Sequence, residues 1–191
     1  MSRYRVYIFF SIIIATGLGA IFFVSQGYYP IAVVDGNFIS AKRFAAEYTA
    51  VFIYNENLLK TSSSTPLDSK SLSPEDLQLT VMNGIIEKVL ISRGAKDESG
   101  KEFDYLVQNK LDKFFKEMGS ENVSASLYGL SNNEFEDNVL VPRAEKEILA
   151  GRLYFQGEKI EDWLRKAKAA ASVIIFSPRF GWNGQEVTKS D

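Results

Sequence analysis

The chain reads as mainly α: an apolar N-terminal helix able to cross a membrane, then a multi-helix domain with a small β element pairing its N- and C-terminal segments. Three observations predict this. Val6 to Val24 is one uninterrupted uncharged run, preceded by Arg3 and Arg5. Several later segments repeat apolar residues at intervals of three and four, the spacing of a helix face. The β-like runs are short and lie near opposite ends of the chain beyond that run, at Ile31–Val34 and at Val173–Phe176.

The apolar run sets the setting for everything else. About 19 residues at 1.5 Å rise give roughly 28 Å of helix, close to the ~30 Å hydrocarbon core of a bilayer. Ile8, Phe9, Phe10, Ile12, Ile13, Ile14, Ile21, Phe22 and Phe23 each favour insertion by about 0.3 to 0.6 kcal/mol, which outweighs Ser11, Thr16, Gly17 and Gly19. The two arginines place residues 1–5 in the cytoplasm and everything after Val24 outside. A cleaved signal peptide is the competing reading. Its apolar core is usually about 7 to 15 residues and ends in small side chains, where this chain has Phe22, Phe23 and Val24. An uncleaved single-pass anchor over 6–24 is therefore expected, with Tyr28 and Tyr29 in the linker 25–30 as interfacial aromatics.

Composition narrows the function classes. The formal net charge is −2, and setting aside Arg3 and Arg5 leaves about −4 after the anchor. That argues against nucleic-acid binding, and against a polybasic surface for anionic lipid. The chain has no cysteine, so a lipoprotein anchor and disulfides are excluded and packing alone must hold the domain. It also has no histidine, which removes Ser-His-Asp and Cys-His nucleophile systems and the usual zinc sites. No enzyme activity, cofactor or metal is expected.

The elements come in order. Ile31–Val34, the turn Asp35-Gly36 and the return through Phe38-Ile39 predict a hairpin. Ser40 caps a helix with Phe44, Tyr48, Val51, Phe52, Leu58 and Leu59 on its apolar positions. Thr61 to Leu72 is serine-rich and aperiodic, a mobile surface loop. Ser73-Pro74-Glu75-Asp76 opens the next helix, which carries Leu77, Val81, Ile85, Ile86, Val89 and Leu90 to about Ala95 and tolerates Gly84 at a cost of about 1 kcal/mol. After a turn over Asp97–Gly100 comes the cleanest amphipathic pattern: Phe103, Val107, Leu111, Phe114 and Met118, ended by Gly119. A short helix is expected over Glu121–Tyr128. Ser131 with Glu134 forms a capping box, and Pro142 should kink or interrupt the helix begun there. The helix resumes through Ile148, Leu149 and Leu153, and a last one holds Ile160, Trp163 and Leu164. Val173-Ile174-Ile175 is strand-like and is expected to pair with Ile31–Val34. The tail 177–191, with Pro178, Gly181 and Gly184, is expected to be loose, with Phe180 and Trp182 able to dock.

The order of these segments resembles the SurA N-terminal chaperone domain family, shared by PpiD and PrsA-type foldases of the bacterial cell envelope. The opening Ala32-Val33-Val34-Asp35-Gly36-Asn37-Phe38-Ile39 is similar to that family's first hairpin, with Phe44 at the spacing of its first-helix aromatic. Val81 to Leu90 with Ala95 is similar to its core helix, and Leu127-Tyr128-Gly129-Leu130-Ser131 with Glu134-Phe135 is similar to a further helix start. Pro142 falls where related sequences carry a helix proline. The resemblance covers residues 31–176. Asp35 replaces the usual turn asparagine, and the parvulin isomerase domain that commonly accompanies the module is absent.

The resemblance implies a membrane-anchored holding chaperone facing the periplasm or another extracytoplasmic space. Its partners would be unfolded or nascent exported polypeptides near the translocon, and its work would need no ATP or covalent chemistry. A dedicated adaptor or structural subunit gripping one membrane partner is the alternative. Holding needs exposed apolar surface in a concave place. Tyr48, Phe52, Phe114, Phe115 and Tyr128 are the candidate peptide-binding residues, with Tyr154 and Phe155 as further aromatics. Phe114 and Phe115 are adjacent on one helix, so one of them faces away from the core. The plain alternative for each is an ordinary core or half-buried surface aromatic. Glu134, Glu136 and Asp137 cluster on one turn but read as a solvated helix start.

Overall fold

The structure, a computed structural model, describes residues 3–61, 73–118 and 128–190. Helix α1 (Arg3–Ser25) contains the apolar run; its Tyr7–Ser25 portion of 19 residues is long and apolar enough to cross a membrane, and none of that portion is buried against the rest of the chain. Two of its polar side chains find partners inside the helix, which removes most of their cost in an apolar medium. Thr16 donates to the Ile12 carbonyl at 2.8 Å and Ser25 to the Phe22 carbonyl at 2.9 Å.

The helix ends in a Schellman motif. Gly27 takes a positive φ of 73°, its amide donates to Val24 at 3.0 Å, and the Tyr28 amide donates to Phe23 at 3.1 Å. The linker is then tied to the domain, because the Lys42 amide donates to the Gly27 carbonyl at 2.8 Å and the Ala41 amide to Tyr29 at 3.0 Å.

Strands β1 (Pro30–Val34) and β2 (Asn37–Ser40) form the expected hairpin. Both turn residues, Asp35 (φ 48°) and Gly36 (φ 83°), are left-handed, as a type I′ turn requires. Strand β3 (Val173–Ile175) pairs antiparallel with β1, in the register Ala32–Ile175, Val33–Ile174 and Val34–Val173, so the sheet order is β2-β1-β3. Asp35 is more than a turn former: its carboxylate accepts from the Ser172 amide and from Arg93, both at 2.8 Å.

Helix α2 (Ala41–Thr61) starts on Ser40, whose hydroxyl accepts from the Arg43 amide. Helix α3 (Pro74–Ser99) is capped by Ser73, with proline in its first turn. It runs beyond Ala95, through the residues expected to turn, and stops at Gly100, where φ is 55° and the amide reaches the Lys96 carbonyl. A short 3-10 segment, Gly100–Glu102, leads into α4 (Phe103–Met118). Helix α5 (Asn132–Phe135) carries the full capping box on Ser131 and Glu134. Hydrogen bonds from Ser131 hold the Glu134 carboxyl below its ordinary range.

The interruption expected at Pro142 takes the form of a π segment at Glu136–Leu140, after which the helix continues as α6 (Val141–Phe155). In a regular α-helix the Pro142 ring would meet the Asn138 carbonyl, and the wider turn relieves that contact. Helix α7 (Ile160–Ala170) comes next. The serine-rich loop expected over Thr61–Leu72, apart from Thr61, and the short helix expected over Glu121–Tyr128, apart from Tyr128, lie outside the described residues.

The tail corrects an expectation. Residues 180–189 are a hairpin of β4 (Phe180–Trp182) and β5 (Val187–Lys189), not a loose end. Pro178 and the glycines read as breakers, but Gly184 supplies the left-handed turn (φ 96°) and the Asn183 side chain accepts from the Gln185 and Glu186 amides. Val187 is buried and exchanges hydrogen bonds with the Asn83 side chain on α3.

Helix α3 is the spine of the domain. Its Leu77, Val81, Ile85, Ile86 and Leu90 pack with Ala32, Val34, Ile39 and Val187 in one core. Ile91 and Ala95 pack with Leu149 and Leu153 of α6 in another. A third joins Ala50, Leu111, Phe114, Leu130, Phe135, Leu140 and Ala144.

Glu145, on α6, is buried and accepts from the Ser92 hydroxyl at 2.8 Å. Burial outweighs this hydrogen bond and pushes its carboxyl above the ordinary value of 4.5. The folded state therefore holds the proton more tightly than the unfolded chain. The stability this contributes is complete below pH 4.5 and is lost as pH rises through the raised folded value. Glu145→Gln should consequently be more stable than the wild type at neutral pH, by about 1 kcal/mol. Urea denaturation at several pH values checks this, since the advantage should vanish in acid.

Candidate functional site

Helices α2, α3 and α6 enclose a cleft of about 420 Å³ together with Tyr128. The spacing on each helix shows why these residues meet. Glu47, Ala50, Val51 and Tyr54 lie on one face of α2, and Gly84, Glu87, Lys88 and Ile91 on one face of α3. Asn138, Val139, Pro142, Arg143 and Lys146 complete the wall from the π segment into α6. The floor is apolar and small, and the charged groups sit around it.

Gly84 explains the opening. A Cβ built there would meet nothing within 4 Å. A glycine inside a helix costs about 1 kcal/mol relative to alanine, and here its effect is to leave the cleft floor bare. One end is closed by aromatic rings: Tyr54 and Tyr128 stack with centroids 5.1 Å apart and planes 7° from parallel, and Phe135 stands 5.4 Å beyond Tyr128. Burial, then the neighbouring Tyr54, raises the Tyr128 hydroxyl above its ordinary value of 10.0, so it stays a neutral donor at physiological pH.

Lys88 is the polar keystone. Its ammonium donates to Glu47 at 2.7 Å and to the Asn138 carbonyl at 2.9 Å. That carbonyl is the one an amide at position 142 would take in an α-helix, and Pro142 has no amide to give. Lys88 thus satisfies the group the proline leaves free and locks three helical segments around the cleft. Glu47 is buried; its second oxygen faces Arg43 at 3.5 Å without a hydrogen bond.

The five residues expected to hold peptide are dispersed. Tyr128 lines the cleft. Tyr48 is half-buried against the first core beside Phe44. Phe52, 46% exposed, sits on the α2 surface outside the cleft lining, where Val51 and Tyr54 take its place. Phe114 is a core residue, 5% exposed, with the Arg143 guanidinium 4.5 Å from its ring centroid. Phe115 is the outward member of that pair, 47% exposed, and lines no part of the cleft. Tyr154 and Phe155 are more exposed still, at the end of α6. Tyr54 is readable as the residue three positions after Val51. Lys88 is not, because its role depends on a carbonyl freed elsewhere in the chain.

Among the described residues no group of three or more acidic side chains is placed to hold a metal ion. Glu134 is spent in its capping box, and Asp137 is exposed. Comparison with protein-family models, with curated proteins and with solved structures finds no match to this chain.

Proposed function

We propose that this chain is a membrane-anchored, extracytoplasmic chaperone of the SurA N-terminal type, which holds unfolded or newly translocated polypeptides without ATP. In this reading α1 spans the bilayer with the N-terminus in the cytoplasm, and the domain works beside the translocon, where tethering raises the local concentration of clients. The observation that carries it is the cleft. It is open, mostly apolar and aromatic at one end, with the charged groups Glu47, Glu87, Lys88, Arg143 and Lys146 also in its lining. Such a surface accepts apolar side chains of many sequences, with little directional chemistry to select one. Nothing in the proposed role calls for a catalytic residue, a cofactor or a metal.

The test is light scattering from an aggregating substrate with the full chain in lipid nanodiscs. Near-stoichiometric protein should suppress aggregation, and Gly84→Leu should abolish suppression by filling the cleft while the circular dichroism spectrum is kept. Tyr128→Ala should weaken it several-fold. A folded chain that suppresses nothing would sink general holding.

A dedicated adaptor is the second reading, favoured by Tyr154 and Phe155. They are 79% and 88% exposed, and this apolar pair lies outside the cleft. An adaptor would ignore unfolded substrates, and Phe155→Ser would release its one partner.

A further inference from the structure

We infer that the root of the membrane helix carries a binding site for the phosphate headgroup of an anionic phospholipid. A second cleft, of about 710 Å³, opens where α1 ends and has Ser25 and Gln26 in its wall. Lys42 and Arg179 both line it, and no carboxylate does. Three other clefts among the described residues each contain at least two carboxylates. In a chain whose net charge is negative, this is a local reversal created by folding, because Lys42 opens α2 and Arg179 precedes β4.

The two cations are held for use. The Lys42 ammonium lies 4.8 Å from the Tyr28 ring centroid and donates to the Tyr28 hydroxyl at 3.1 Å, leaving further donors free. The Arg179 guanidinium lies 5.7 Å from the Phe180 ring centroid. Of the acids within electrostatic reach, Glu75 near Arg179 is paired with Lys189 at 2.7 Å, and Glu134 near Lys42 is hydrogen-bonded to Ser131 and lines no part of the cleft. The cleft floor beneath is apolar, with Phe44, Met82 and Ile175, and Phe176 at its edge is 56% exposed. Cations over an apolar floor match a phosphate with an acyl chain below it.

Continuity with α1 selects the occupant. The residues between Ser25 and Pro30 are hydrogen-bonded at both ends, so the cleft cannot leave the membrane surface if α1 spans the bilayer. The inference rests on that spanning role. Each cation near an anionic surface contributes roughly fivefold in affinity, so the pair should contribute roughly 25-fold.

The experiment is native mass spectrometry of the full chain released from nanodiscs of phosphatidylcholine mixed with phosphatidylglycerol. The wild type should retain phosphatidylglycerol preferentially. Lys42→Gln with Arg179→Gln should reduce that preference by roughly 25-fold, and each single change by roughly fivefold, with the fold confirmed by circular dichroism. Any preference due to Arg3 and Arg5 survives these changes and serves as the baseline. A preference unchanged by the double substitution, or displaced by inorganic phosphate as readily as by lipid, would overturn the site. Failure of the chain to enter nanodiscs would instead overturn the spanning reading.

Discussion

Replacing Lys88 by methionine should destabilise the fold by roughly 2–4 kcal/mol, among the largest effects of any single change to a polar residue. The substitution keeps the length of the side chain and removes its charge. It leaves Glu47, whose side chain is 7% exposed, with Arg43 at 3.5 Å as its one compensating cation among the described residues. It also strands the Asn138 carbonyl, which has lost its helical donor to Pro142. Breaking a buried pair by removing one partner typically costs about 3–5 kcal/mol, discounted here because the Lys88 side chain is 28% exposed. Adding Glu47→Leu should recover part of the loss, since an apolar pair carries no uncompensated charge. The remainder measures the stranded carbonyl. Urea midpoints of the two single variants and the double variant give all three quantities.

Gly94→Leu should cost roughly 3 kcal/mol, because the α3 backbone there lies against the Trp163 ring. A Cβ at position 94 would overlap two carbons of the Trp163 ring, far inside van der Waals contact, and lie 3.3 Å from Leu149. The ring is half-buried against the core of Ile91, Ala95, Leu149 and Leu153, so α7 must shift to admit the new side chain. Gly84, on the same helix, gives the internal contrast. Gly84→Ala should raise stability by up to about 1 kcal/mol, because its Cβ meets open space and alanine favours the helix. Opposite signs for glycine substitutions ten positions apart on one helix would separate a packing glycine from a cleft glycine, and thermal denaturation reads both.

Local signals make most elements legible. Asp35-Gly36 specifies a turn with two left-handed residues, Ser73-Pro74 and Ser131–Glu134 specify helix starts, and the two β-branched runs find each other across the domain. Of the β4–β5 hairpin only the turn carries a local signal, Asn183-Gly184, which reading the tail as loose passes over; what docks the hairpin is tertiary. Asn83 on α3 pairs with the Val187 backbone, and no local pattern in 177–191 announces that. Asp97 and Glu98 look like turn residues and so end α3 too early on paper, while Ser99 is in fact buried in the helix. The cleft is only partly legible. Helical spacing identifies faces, but which face is left uncovered depends on how α6 crosses α2 and α3. That crossing depends on the π segment ahead of Pro142 and its tie to Lys88, so spacing alone favours Phe52 where the fold uses Tyr54.

The proposed holding role stands or falls on occupancy of the cleft. The most direct measurement is fluorescence anisotropy of a labelled, permanently unfolded polypeptide titrated with the full chain in nanodiscs. Binding in the micromolar range is expected, weakened at least tenfold by Gly84→Leu and unaffected by Phe155→Ser. Equal binding by the wild type and Gly84→Leu, or loss on Phe155→Ser alone, would contradict it and move the function out of the cleft.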